Sequence, residues 1–430
     1  MLDDDFWYSR AMISENSGAR PQWFRSPART ARLTASLLMA VCSPLLASEW
    51  MEGPDGVLNQ IEEEDSKRFE SANTGVIRDY TRWKQALKEE WGLSFGVQYL
   101  ALYQSLQATP SPDVDRGGGG IFRINGSYDV FETDGGDAGW IEWRIENRHN
   151  LFWLLAPSEM GELAGIKALN PADSYLGDFD TDLAVINWTQ LFSNRWGFTV
   201  GRLSYASYLD AGYFQSLFGG FLNAAFIASP ALAITGVGAL GIAVRGFLTP
   251  HLTFGIQAHD ANARNGRFSP DTLRQNEYLS AIDMGWTGDP YQHGLDRILL
   301  TLWRKDALKK QGIGEGHGLA INGTLQAGNF IPFLHFAVNN GGGGVAARRA
   351  ASTGVEYVPG ERGGWVFGVA WAEPASAGSS RDELVAETSY RLDIMAGFEI
   401  MLDLQYIRYT SSRLRGSAGW VGSLRVNLSL

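Results

Sequence analysis

The densest run of side chains able to hold a polar solute is Glu142, Arg144, Glu146 and Arg148, four charges spaced two residues apart. Carboxylates only accept hydrogen bonds, whereas a guanidinium offers five donors in a planar fork. Such a row therefore presents both kinds of partner that a hydroxyl needs, in a fixed array. A spacing of two places all four on one face of a β-strand. The plainer reading of the same row is a cross-strand charge ladder that only solvates a wall. Arg144 is the member expected first to touch solute, and Arg123 extends the row onto the preceding strand.

A second cluster, Tyr205, Tyr208, Tyr213 and Phe214, sits where a long loop begins. Aromatic faces suit the apolar C–H faces of pyranose rings, and the same residues serve equally as loop packing. Other chemistries find no support. The histidines at 149, 251, 259, 293, 317 and 335 lack metal-ligand spacing, and the sole cysteine, Cys42, falls in a segment read below as a leader. Carboxylates are plentiful, but no two are set apart as an acid and base pair. Gly117–Gly120 and Gly341–Gly344 read as loop glycines, because no helix signal follows to make a phosphate cradle. No catalytic set, metal site or cofactor is expected.

Charges spaced by two require strands to carry them. From Ile141 to Trp153, Ile141, Trp143, Ile145, Leu151 and Trp153 share one face, opposite Glu142, Arg144, Glu146, Arg148 and Asn150. The pattern returns at Phe122 to Val130, at Glu387 to Ile400 and in the last strand, where Ser423, Arg425, Asn427 and Ser429 oppose Leu424, Val426, Leu428 and Leu430. A soluble sheet turns its polar face to bulk water; a membrane barrel turns it to the lumen and shows lipid the apolar face. About sixteen strands can be marked from residue 93 onward, an even number within the range of such barrels. Short links such as Ser193-Asn194, Leu248 to His251 and Ala327 to Asn329 alternate with long Gly-, Pro- and charge-rich segments, among them 154 to 181, 205 to 238 and 260 to 278. Short turns on one rim and long loops on the other define an all-β, transmembrane antiparallel β-barrel.

From Ala211 to Val244 no residue is charged, but Pro230 and the glycines at 212, 219, 220, 236, 238 and 241 argue against a membrane helix. This stretch reads as the third long loop, folded into the barrel, with part of the next strand. The tryptophans Trp188, Trp196, Trp286, Trp303, Trp365 and Trp420 are expected in the aromatic belts at the two membrane interfaces.

Composition agrees: 51 Gly, 15 Trp, 15 Tyr and 22 Phe suit aromatic-flanked strands joined by turns. A net charge of −11 with no basic run excludes nucleic acid as the expected partner. Arg25, Arg29 and Arg32 precede the apolar stretch Leu33 to Val41 and the small residues around Ala47-Ser48, which reads as a signal peptide over 1–47 with an extended n-region. Residues 48–91 read as a solvated periplasmic helical lead-in or linker, and 92–430 as the barrel.

The run Gly201-Arg202-Leu203, then Asp210, Phe221 to Phe226, Pro230-Ala231, Gly238, Val244-Arg245 and Asp260-Ala261 resembles the carbohydrate-selective porin (OprB) family. Glu387 to Arg391 and Leu402 to Ile407 look like its later strands, and Trp83 to Tyr99 like its first. The likeness spans residues 80 to 430. It implies a sixteen-stranded outer-membrane barrel with inward loops narrowing the pore, sugars as solutes, outer-membrane lipid and the barrel-assembly machinery as partners, and a homotrimer as one assembly. Arg202, Asp210 and Arg245 are pore-lining on that resemblance, although Arg202 shares the period of Phe198 and Val200, which requires a bulge or a place at the rim. The chain ends at Leu430 where such barrels carry an aromatic residue. The expected function is passive diffusion of small polar solutes. The alternatives are a general or ion-selective porin and, from a different class, a secreted carbohydrate-active β-sheet enzyme.

Overall fold

The computed structural model describes residues 51–430 except 70–74, 108–113, 173–176, 235, 289–294, 361–362, 376–381 and 410–417. The expected leader, 1–47, lies outside them. Eight strands occupy the first half of the barrel: β1 (Leu93–Leu106), β2 (Arg116–Glu132), β3 (Ala138–Asn150), β4 (Phe179–Phe192), β5 (Trp196–Leu203), β6 (Ala239–Thr249), β7 (Leu252–Asp260) and β8 (Tyr278–Thr287). Eight complete it: β9 (Arg297–Lys305), β10 (Gly316–Thr324), β11 (Phe330–Asn339), β12 (Ala347–Gly360), β13 (Gly363–Pro374), β14 (Glu383–Met395), β15 (Phe398–Arg408) and β16 (Ala418–Ser429). Each strand pairs antiparallel with its neighbours in sequence, and β1 closes on β16 from Gln98↔Ser429 to Leu106↔Val421. Closure satisfies every ladder and leaves no sheet edge, the condition for a sheet to stand in lipid.

The two faces of the wall are inverted relative to a soluble sheet. On β8 and β9, Ile282 and Leu302 are 52% and 50% exposed, while their neighbours Asp283 and Thr301 are buried. On β16, Trp420, Leu424 and Leu428 face out, and Arg425 is 0% exposed. At the rim of short turns, Trp365 packs on Tyr390 and Phe330 stacks on Tyr357, and Trp196 and Trp286 are exposed at the same level. Tyr406 and Trp420 pair towards the opposite rim. Trp303 departs from the expected belt. It shares the inward face of Thr301 and Lys305 and is 3% exposed in the luminal core, because its strand's lipid face is filled by Ile298, Leu300 and Leu302.

The expected alternation of connections holds. The β4–β5 link is a three-residue hairpin, 193–195, with Ser193 and Asn194 both at φ 50°, the left-handed region that tight hairpins favour. The long loops include 151–178 between β3 and β4 and 204–238 between β5 and β6. Two sequence expectations shift at their edges. Leu151 to Trp153 lie beyond β3, because Phe152 (φ 56°) and Trp153 (φ 54°) leave the extended region and end the ladder. Gly117–Gly120 belong to β2 rather than to a loop; a side chain at Gly117 would meet Pro157, at the start of the helix α3 (Pro157–Ala164), at 3.0 Å.

Two helices precede the barrel, α1 (Val57–Phe69) and α2 (Gly75–Trp91). The lead-in is solvated as expected along most of α2, where Trp83 and Trp91 are exposed, but not along α1. Val57 and Ile61 pack on Val185, and Leu58 packs on Ala138, Trp140 and Leu191, all on the inner wall of β3 and β4. The acidic run around Glu63 reads as polar in one dimension. Helical period nevertheless puts the apolar stripe and Gln60 against the wall and leaves Glu63 exposed.

Candidate pore constriction

Antiparallel register turns the charges of β2 and β3 into facing pairs: Arg123↔Glu146, Asn125↔Arg144 and Ser127↔Glu142. Arg123 Nε donates to Glu146 Oε2, Arg148 Nε to Glu146 Oε1 at 2.5 Å, and Arg144 Nε to Asn125 Oδ1 at 2.7 Å. The segment ahead of α1 completes the network. Asp55 lies under both strands and accepts from Arg123 Nη1 at 2.8 Å and from Arg144 Nη1 at 3.1 Å, while its carbonyl accepts from Arg144 Nη2 at 2.8 Å. Glu142 accepts from Trp140 Nε1 at 3.1 Å. Thus Arg123, Glu142, Arg144, Glu146 and Arg148 all point inward, as their spacing predicts, but each is at most 2% exposed and already engaged. In this state the row is a clamp on the lead-in rather than an open lining.

Arg202 also points inward. Val200 faces out and Arg202 is 2% exposed, so the period slips between them at Gly201, whose φ of 142° is closed to L side chains. Asp182 receives the Arg202 guanidinium through both oxygens, at 2.9 and 2.6 Å.

The loop 204–238 fills the lumen. It holds two short helical turns, α4 (Tyr205–Tyr208) and α5 (Ala224–Ile227). Phe214, Phe221 and Phe226 pack on one another and on Phe333 of β11 with centroids 4.4–6.1 Å apart. Tyr205 donates to the Asp260 carbonyl at 2.5 Å and Tyr208 to Glu52 at 2.9 Å. Burial, with Glu52 and Glu142 nearby, pushes the Tyr208 phenol well above its usual range; burial also raises that of Tyr213. Both stay protonated donors. Three of the four loop aromatics are therefore packing, and Tyr213 alone is half-buried.

Buried charges pin the loops. On the inward face of β14, Glu383 accepts the backbone N–H of Lys167, Ala168 and Leu169 at 2.8–2.9 Å, and Glu387 accepts those of Leu222 at 2.5 Å and Asn223 at 3.0 Å. On β16, Arg425 donates to the carbonyls of Leu217 at 2.8 Å and Phe218 at 3.2 Å and to Glu399 at 2.8 Å. Arg245 donates to the carbonyls of Met51 and Ser207, tying lead-in and loop together. Asp210 (φ 53°) takes Asn322 Nδ2 on its carboxylate, with His335 Nε2 at 2.7 Å. Inward groups that keep some exposure include Arg245 at 11%, His335 at 13% and Arg391 at 20%.

No family model and no curated protein matches the chain. Among solved structures, OprB of Pseudomonas putida at high pH superposes with a TM-score of 0.65 at 14% identity, covering 82% of this chain and 97% of that one. The chain has the sixteen-stranded porin fold. The low-pH OprB structure matches with a TM-score of 0.45 at 13% identity over 82% of this chain and 97% of its own. A mutant porin of Rh. blastica matches at 0.43 and 14%, over 79% and 100%.

Within this porin fold, sequence reasoning missed Glu52 and Asp55, Glu383, and the pair Arg391–Glu356, whose Nη2 and Oε1 lie 2.5 Å apart. Arg391 and Glu387 were visible as members of an alternating face. Nothing local marks the strap, because Asp55 lies 89 residues from Arg144 in sequence.

Proposed function

We propose that the protein is an outer-membrane porin through which small polar solutes, carbohydrates foremost, diffuse passively. The supporting observation is a closed barrel, apolar outside and charged inside, whose loop, without charge from Ala211 onward, is pinned across the lumen by Glu387 and Arg425. A lumen narrowed this way passes small solutes and holds back large ones, and partly exposed groups such as Arg391, His335 and Tyr213 offer weak hydroxyl partners that let a solute leave as well as enter. Export through a leader at 1–47, insertion by the barrel-assembly machinery and direct contact with outer-membrane lipid belong to the same reading. Residues 51–65 then act as a luminal strap rather than a separate domain, and the ladder residues Arg123 to Arg148 act by holding it.

Swelling of proteoliposomes in isosmotic sugar tests the proposal. Monosaccharides should swell them faster than disaccharides, and larger oligosaccharides should not. Equal rates for all sugars would leave a general porin, and no swelling above protein-free vesicles from a folded barrel would overturn the channel reading.

A further inference from the structure

Outside the constriction, at the rim of the long loops, lies a cavity of ≈ 300 Å³ lined by Arg202, residues 238–240 and the β7–β8 and β9–β10 loops. Its volume is at the low end of small-ligand sites, room for one pyranose ring rather than a chain of them. Four cations line it: Arg202, Arg264, Arg267 and Lys310. Asp182 neutralises Arg202, but Arg264, Arg267 and Lys310 are exposed and have no acidic partner among the described residues. The single acid in the lining, Asp260, is engaged within its own loop by the Asn262 N–H at 2.9 Å and by the Thr272 hydroxyl. A local positive excess therefore stands on a chain whose net charge is −11. Phe268 lies in the same lining, with the Arg202 guanidinium 5.5 Å from its ring centre, and keeps 47% of its surface open. Ser269, Gln275 and Gln311 add hydroxyl-compatible partners.

We infer that this cavity is an outer binding site for an acidic monosaccharide, a single pyranose bearing one carboxylate. The carboxylate meets Arg264, Arg267 and Lys310, and a C–H face of the ring lies on Phe268. Low-dielectric walls focus the field of the three cations, so an anionic sugar is concentrated at the mouth and a neutral one is not. The inference rests on the porin reading for its purpose but not for its existence, since a binding site can be occupied whether or not the barrel conducts.

Calorimetric titration of the full-length folded barrel in detergent, with sodium glucuronate and with glucose, tests it. Glucuronate is expected to bind about tenfold more tightly at low salt, with the advantage lost in high salt, where exposed charges are screened. The double variant Arg264→Ser/Arg267→Ser, and separately Lys310→Gln, should each reduce glucuronate binding and leave glucose binding unchanged; all three side chains are exposed and have no acidic partner among the described residues, so the fold does not depend on them. Equal affinity for the two sugars, or undiminished glucuronate binding in the double variant, overturns the site. A barrel that prefers glucuronate but gives no vesicle swelling overturns the channel reading alone.

Discussion

Replacing Asp55 by Asn tests how the strap is held. Among the described residues, Asp55 is the only carboxylate within ion-pair distance of the Arg144 guanidinium, whose other side-chain partner is the neutral Asn125 amide. Arg123 would keep Glu146. Arg144 is 2% exposed, and removing one member of a buried pair costs about 3–5 kcal/mol, because the remaining charge is left uncompensated. The barrel wall does not depend on this contact; its sixteen strands pair in a closed ring without it. The penalty therefore falls on docking of residues 51–64, and at about 1.4 kcal/mol per factor of ten it shifts the docked-to-undocked ratio by roughly two to three and a half powers of ten. Limited proteolysis of the folded barrel should cut the lead-in of the variant while the wall stays resistant. Adding Arg144→Met to Asp55→Asn should restore part of the protection, since the unpaired charge is gone. If the single variant resists protease as well as wild type, the two-arginine clamp does not hold the strap.

Ile145 faces lipid beside the inward Arg144, so Ile145→Arg should cost roughly 2–4 kcal/mol if the site lies near the bilayer midplane, read as loss of folded barrel in a gel-shift assay with vesicles. Glu387→Ala removes the acceptor of the Leu222 and Asn223 N–H groups, two buried hydrogen bonds worth about 0.5–1.5 kcal/mol each, and should raise hydrogen exchange at residues 220–226 without changing the melting of the wall. Burial raises the Glu62 carboxyl to about 7, with Lys88 opposing and Asp65 assisting. A raised carboxylate favours the docked helix when protonated. Docking of α1 is therefore fully supported below the ordinary carboxylate range, around pH 4.5, and loses that support as pH rises towards about 7. Protease sensitivity of the lead-in should increase over that window, and Glu62→Gln should flatten the profile.

The wall was legible because period two is a local property: Glu142 to Arg148 and Ser423 to Ser429 declare their faces within a few residues. The luminal loop was legible for a related reason, since a stretch without charge between Ala211 and Val244 has no stable place in water. Three features were not. Gly201 changes the facing of Arg202 through a single backbone angle, which a pattern of side chains does not encode. The anchoring of Leu222 by Glu387 joins residues 165 apart, and the strap joins Asp55 to Arg144, so neither could be assigned before the barrel closed. The charges of β2 and β3 were placed on the correct face, but their burial depends on what the lead-in does, and its acidic run concealed the stripe of Val57, Leu58 and Ile61.

On the proposed reading, the loop 204–238 sets the width of the pore. Single-channel current in planar bilayers, with monosaccharide titrated in, measures that width and the hold on solute together. Deleting Gly212 to Gly220 removes the segment that packs Phe214 on Phe333 and that Arg425 fastens to β16. The deletion should raise conductance and weaken sugar block in the same protein. A correctly folded deletion barrel with both values unchanged would contradict the account.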